Sequence, residues 1–313
     1  MKNSAFLSAL LILVFFSADR LAYVITKSTE KEVRSGLGVG KLNHFFKLKD
    51  SVDILVFGNS RASHHVNLNN VQSSSFNIGV DGSDIAYSTA LVSSLKRKGQ
   101  IILVHLDHNS LYNSTYNGDD VKALMYKLNT SEEIHEFFSL YFKKELVLSK
   151  LFKVYPYNGK LFPILKNKIL PVKNPWKYKG YEPLFITKQQ SIAFEKIRRK
   201  QNPPINAGIV NPIEISPLIE EFIGKIAETA KQNHSKLIFF TSPSLSKVDE
   251  EVRSKTNRFF KEKKIEYFDY IDSMDSIDSS IDKFWKDYTH LSDAGATIFS
   301  KVLEKDILEH IKD

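Results

Sequence analysis

The chain has 313 residues, of which 42% are hydrophobic and 26% charged, with a formal net charge of +8 and no cysteine. That length buries one large core, or one core carrying an insertion, and the composition is not that of a disordered chain. The lack of cysteine excludes disulfides, thiolate metal sites and a cysteine nucleophile.

The chain opens on a continuous apolar run, "AFLSALLILVFFSA" (5–18), behind Lys2. The run has the length of a signal-peptide core, but a cut after Ala18 would place the bulky Phe16 where a small residue is preferred. Beyond Asp19 and Arg20 the apolar character resumes through "LAYVI" to Ile25, approaching the roughly 20 residues a span needs. The expectation is an uncleaved signal anchor over 1–26, with a cleaved secretory peptide as the alternative. A buried amphipathic helix fits less well, because the run is apolar on every face. Arg20, Lys27, Lys31 and Arg34 all follow the run, so charge bias does not settle the topology. Residues 27–50 read as a polar linker with a short helix.

From there strands and helices alternate. "DILVF" (53–57) reads as a strand stopped by glycine, and "SSFNIGV" (74–80) as a second. "SDIAYSTALVSSLKRKG" (83–99) reads as a helix with Ser83 as N-cap and Gly99 as terminator, and "QIILVHLD" (100–107) as a central strand. The rhythm breaks from about 110 to 205, where helical pieces precede a segment rich in proline, lysine and aromatics. We read this stretch as a mainly helical insertion over one end of the sheet. It includes nine lysines and one acid, Glu182, between Lys150 and Lys188, which favours an anionic neighbour. Prolines 156, 163, 171 and 175 interrupt it and no nucleic-acid motif is present, so nucleic acid is not an expected partner.

The alternation then returns. "SPLIEEFIGKIAETAKQNH" (216–234) starts on a Ser-Pro cap and puts Ile219, Phe222, Ile223, Ile226 and Ala230 on one face. "KLIFFTSP" (236–243) is a strand, "DEEVRSKTNRFFKEKK" (249–264) a helix and "IEYFDYID" (265–272) a strand. A final helix from Ser292 carries Ile298, Val302, Leu303, Ile307 and Ile311. Strands and helices in this order predict a three-layer α/β/α domain over 51–313 with a mostly parallel sheet. In such sheets ligands bind beyond the carboxyl ends of the strands. Ser60, Gly82 and Asn109 follow the first three strands there, and Asp287 and His290 lie on the loop before the last helix.

Each signal has an ordinary structural reading as well. A serine after Gly-Asn at a strand-to-helix turn is usually a helix cap. Asp-x-x-His can be a helix-entry loop capped by Ser292. Taken together, Ser60 as nucleophile, His290 as base and Asp287 as its orienter satisfy the requirements of acyl transfer. His64, one helical turn after Ser60, is a rival base. His105, Asp107 and His108 with His64 and His65 form a rival metal-ligand set.

The combination resembles the SGNH (GDSL-type) hydrolase superfamily. "VFGNSRAS" is similar to its first block, "FNIGVDG" to its second, "ILVHLDHN" to its third and "DYTHLS" to its fifth. The resemblance implies an SGNH or flavodoxin-like fold, catalysis by Ser60, His290 and Asp287, and an oxyanion hole from the N–H groups of Ser60 and Gly82 and the Asn109 side chain. It implies no cofactor and no metal. Asn59 and Arg61 stand where GDSL members have aspartate and leucine, and Asp107-His108 stand where many members have two glycines. The Gly-Asn-Ser-Arg form behind a hydrophobic segment resembles membrane-anchored envelope members related to the alginate O-acetylation and D-alanyl-lipoteichoic acid pathway proteins. That implies an extracytoplasmic esterase or O-acyltransferase acting on an acylated, expectedly acetylated, glycan or surface polymer, beside a membrane-bound O-acyltransferase at the inner membrane. The alternative is an inactive glycan-binding or scaffold protein of the same fold. Arg61, Trp176 and Tyr178 are candidate substrate contacts. Arg61 could instead pair structurally with Asp84 or Asp107, and the aromatics could simply pack the insertion.

Overall fold

The computed structural model describes residues 2–200, 214–274 and 282–311. Five strands, β1 (Ile54–Phe57), β2 (Ser75–Asn77), β3 (Ile101–His105), β4 (Lys236–Thr241) and β5 (Glu266–Asp269), form one sheet in the order β2-β1-β3-β4-β5. Every pairing is parallel. The three central strands are buried on both faces (Ile54–Phe57 and Ile102–His105 throughout, β4 from Ile238). This explains why they read as unbroken apolar runs.

The helices are α1 (Lys2–Glu32), α2 (Lys41–Leu48), α3 (Ser60–His65), α4 (Ile85–Val92), α5 (His108–Leu111), α6 (Glu132–Tyr141), α7 (Lys143–Leu151), α8 (Leu161–Ile169), α9 (Lys188–Lys200), α10 (Pro217–Gln232), α11 (Glu250–Lys263) and α12 (Asp293–Ile311). α3 packs with α12 and α4 with α10, giving the expected α/β/α layering. The five apolar residues of α10 singled out in the sequence are all buried. α12 instead buries Ala296, Phe299, Leu303 and Ile307, with Ile298 and Val302 only partly covered.

The chain divides into two compact units. The first joins Met1–His44 with Ala123–Pro175, and the second joins Phe45–Lys122 with Trp176–Asp313. The middle of the insertion thus shares a unit with the N-terminal helix, while Trp176 onward belongs with the sheet. The insertion's end near 205 lies outside the described residues.

Two boundaries differ from expectation for local reasons. The helix after β2 starts at Ile85, capped by Asp84, whose Oδ1 accepts from the Ile85 N–H at 2.8 Å. Ser83 instead donates to the carbonyls of Gly58 (2.9 Å) and Val80 (2.7 Å), joining the loops after β1 and β2. The helix ends at Val92 rather than near Gly99, because Asp50 Oδ1 captures the N–H groups of Lys96 and Arg97. The segment 74–80 keeps strand geometry only over Ser75–Asn77, although Ile78 and Val80 still donate to Val56 and Gly58.

In the first unit α1 runs unbroken through Asp19 and Arg20 to Glu32, so the expected linker starts later than residue 27. Asp19 is tolerated because its carboxylate accepts the backbone N–H groups of Lys153 (2.8 Å) and Val154 (3.0 Å) and pairs with Arg20. Its stretch Ser4–Glu32 is long and apolar enough to cross a membrane, with a mean hydropathy of 1.9 over its most apolar window.

Candidate active site

The turn after β1 is built for Ser60. Gly58 adopts φ +136°, and a Cβ there would lie 2.8 Å from the His105 Cβ, so only glycine allows the strand to turn so sharply into α3. Asn59 then caps α3, its Oδ1 accepting from the Arg61 N–H at 2.9 Å. Ser60 is therefore not the cap. Its hydroxyl is 2.9 Å from His290 Nε2.

The histidine comes from a loop that folds around its own carboxylate. Lys286 N–H donates to the His290 carbonyl at 2.8 Å, and Trp285 and Leu291 pair as an antiparallel bridge. Asp287 Oδ1 accepts the N–H groups of Thr289 (2.8 Å) and His290 (2.9 Å), and Oδ2 lies 3.0 Å from His290 Nδ1. The spacing in "DYTH" thus serves both the turn and the ring. Burial raises the Asp287 pKa, but the His290 contact and these N–H donors hold it well below the ordinary carboxylate range. An ionised acceptor at Nδ1 keeps the proton on that nitrogen and leaves Nε2 to accept from Ser60.

Behind the loop lies a polar chain inside the core. Leu291 N–H donates to His65 Nε2 at 3.0 Å, His65 Nδ1 lies 2.9 Å from Ser242 Oγ, and Ser242 Oγ lies 3.0 Å from His105 Nε2. Because His65 Nε2 accepts, its proton sits on Nδ1. Ser242 receives that proton and the Arg61 Nε–H (3.2 Å), and gives its own to His105. Both rings are neutral: burial and then Arg61 hold His65 well below its ordinary pKa, and burial takes His105 down to about 3 although Asp107 opposes it. His65 is thus a positioning group for the residue next to His290.

The remaining expectations are sorted by partner. His64 Nδ1 lies 2.8 Å from the Glu182 carbonyl and Nε2 lies 3.0 Å from Asp81 Oδ1. Two acceptors require two protons, so the ring is cationic. Burial opposes that charge, but Asp81 and Glu182 raise the pKa overall. Both nitrogens are engaged away from Ser60, which removes His64 as the base. His64, Asp81 and Glu182 are also the group whose ligand-type atoms cluster among the described residues, all within 4.8 Å of one another. The rival metal set does not converge: His105 faces Ser242, Asp107 pairs with Arg61, and His108 faces Tyr267 (3.3 Å) and Asp269 (3.6 Å).

Arg61 takes the structural option. Its buried guanidinium bonds Asp107, the Ser242 hydroxyl and carbonyl and, at 3.2 Å, the Pro243 carbonyl, although the residue also lines the pocket at Ser60. Trp176 and Tyr178 are corrected as substrate contacts. Trp176 stacks on Phe76 of β2 (centroids 6.4 Å apart), Tyr178 packs against the core, and neither lines the pocket at Ser60. Gly82 is not among the residues that line it, and its φ of +73° lies in the turn in which Ser83 N–H bonds the Val80 carbonyl. Asn109 does line the pocket, and its buried Oδ1 has no hydrogen-bond partner among the described residues.

That pocket has a volume of about 230 Å³ and opens between the ends of β1, β3, β4 and β5. Ser244, Val248 and Ile271 complete its wall. Sequence reasoning missed these three, and Ser110 and Thr289 of the same wall, although "TSPS" and "FDYID" both sit at carboxyl ends of strands.

A carboxyl pair, Asp84 and Asp120, is linked to the pocket wall through the Ser110 side chain, which hydrogen-bonds Asp84. Asp120 Oδ2 accepts the N–H groups of Asp84 (2.8 Å) and Tyr87 (2.9 Å), and Tyr116 donates to its Oδ1 at 2.7 Å. Burial, then the neighbouring Asp120, pushes the Asp84 carboxyl up to about 7. Between its ordinary pKa and 7 the folded chain holds a proton that the unfolded chain has lost. This contribution is full below the ordinary value and is lost as pH rises to 7. Asp84→Asn, which keeps the cap, should therefore stabilise the protein at pH 8 by on the order of 1–3 kcal/mol. Urea midpoints should show that gain shrinking towards pH 4, whereas a pH-independent gain would refute the coupling.

No protein-family model matches this chain, and no curated protein matches it. The chemistry of the site is carried by its own geometry.

Proposed function

We propose that this protein is a serine esterase or O-acyltransferase of the SGNH type, acting on acyl esters, in the first instance acetyl esters, of a cell-envelope polysaccharide or related surface polymer. The carrying observation is the continuous relay from Ser60 Oγ through His290 to Asp287. Ser60 Oγ forms a bond to the ester carbonyl carbon as His290 Nε2 takes its proton. The tetrahedral intermediate collapses with cleavage of the C–O bond, and His290 returns the proton to the leaving alcohol. Water or an acceptor hydroxyl, deprotonated by the same ring, then releases the acyl group. The Ser60 N–H at the start of α3 and the Asn109 amide are the donors available to the oxyanion. The small pocket, with Val248 and Ile271 in its wall, suits a short acyl group.

We place the site outside the cytoplasmic membrane, tethered by an uncleaved α1. The support is that α1 is part of the first unit's packing: Phe16 stacks on Phe152 at 5.9 Å, and Asp19 holds the Lys153–Val154 backbone. Cleavage after Ala18 would remove the first of these contacts.

The test is turnover of a chromogenic acetyl ester by the full chain. His290→Ala should lower kcat/KM by about a thousand-fold or more. Equal rates in wild type and variant would sink this reading and favour a non-catalytic scaffold.

A further inference from the structure

We propose that the α7–α8 region of the first unit is a lipid-docking surface, which seats an acyl chain of the bilayer beside α1 and places its lysines against anionic headgroups. The inference rests on α1 being in the membrane, not on the catalytic reading. Three observations carry it.

The first is depth. Phe152 packs on Phe15 and Phe16 with centroids 5.9 Å apart, and Lys153 and Val154 donate to Asp19. Residues 152–154 therefore lie beside the C-terminal half of the apolar stretch 5–25 of α1, not beyond its end. If α1 spans, this part of the insertion enters the bilayer with it.

The second is the outward face. α8 buries Ile164 and packs on α1, yet it turns Phe162 (74% exposed), Leu165 and Ile169 (73%) outward, followed by Leu170 and Val172. α7 adds exposed Val147 and Leu151. Contiguous apolar exposure on this scale marks an interaction surface. A groove of about 470 Å³ lies between α1 and the segment 152–161, lined mainly by Phe15, Ala18, Ala22, Phe152, Val154 and Leu161, with Asp19, Tyr155 and Asn158 also present. Its lining is mainly apolar, and its place beside the apolar stretch of α1 fits a hydrocarbon tail.

The third is charge. From Lys143 to Lys173 there are eight lysines and one acid, Glu145, which is buried. Lysines spaced between apolar side chains can lay their stems along the hydrocarbon boundary and raise their ammonium groups to phosphate. Of these lysines, Lys143, Lys144, Lys150 and Lys166 are exposed, whereas Lys168 pairs with Glu32 and Lys160 is partly buried.

The absence of cysteine makes the test direct. The full chain is reconstituted in phosphatidylcholine vesicles containing phosphatidylglycerol, with a nitroxide at Phe162→Cys or, separately, Leu165→Cys. Leu11→Cys on α1 and Lys231→Cys on exposed α10 serve as bilayer and water references. We expect the Phe162 and Leu165 labels to match Leu11 in high oxygen and low nickel-chelate accessibility, and to move towards water when phosphatidylcholine alone is used. Accessibility equal to Lys231 in both positions overturns the proposal. So does dipolar broadening that disappears on dilution with unlabelled chain, because a second copy would then cover the face.

Discussion

Replacing Ser60 with alanine is expected to abolish covalent labelling by a fluorophosphonate and to lower acetyl-ester turnover by about a thousand- to a million-fold. The hydroxyl is the atom that the surrounding structure presents. Gly58 makes the turn, Asn59 takes over the capping of α3, and His290 Nε2 stands 2.9 Å from Ser60 Oγ. Because Asn59 carries the cap, alanine at 60 removes no bond that holds the helix start. The variant should therefore unfold at the wild-type urea midpoint, which separates lost chemistry from lost fold. Asp287→Asn should retain the loop turn through its remaining carbonyl oxygen yet lose the charge that fixes the His290 tautomer, so its loss falls in kcat. Full labelling of the alanine variant would remove Ser60 as nucleophile.

The sheet and the Ser60–His290–Asp287 set are both legible in the sequence, for the same reason. Parallel strands buried on two faces are written as short apolar runs, and the fold carries the residues after such runs to one edge. Ser60 and Asn109 could be placed by that rule, and Asp287 and His290 by their three-residue spacing. What stayed hidden was the division of labour among polar neighbours. In the sequence Ser60 looks like a cap, and the bonding gives that role to Asn59. His64 and His65 look like a pair, but one is a cation held by Asp81 and Glu182, while the other is a neutral strut between Ser242 and Leu291. The partners Glu182, Ser242 and Leu291 lie more than a hundred residues away, which local spacing does not encode.

The second large effect is expected at Asp107. Arg61 is buried, and its guanidinium spans from Asp107 to the carbonyls of Ser242 and Pro243. Burial alone would raise the Asp107 pKa, but Arg61 outweighs it and keeps the carboxylate charged. Asp107→Ala would leave the guanidinium charge buried without its counterion, at a cost of about 3–5 kcal/mol. Arg61→Met should cost about as much by stranding Asp107. The double variant should lose less than the sum, because neither charge is then left alone. Urea unfolding at pH 7 measures all three, and single losses within about 0.5 kcal/mol of wild type would refute the pairing as a stabilising element. With its pKa depressed in the folded state, Asp107 stabilises above the ordinary carboxylate value, and this contribution fades as pH falls through the folded one. Activity should respond as well, since Asn59 Nδ2 donates to Asp107 at 2.6 Å while its Oδ1 caps the helix that starts at Ser60. Loss of that anchor loosens Ser60, the proposed nucleophile, as well as the fold, so Asp107→Ala should lower kcat under conditions where the variant is still fully folded.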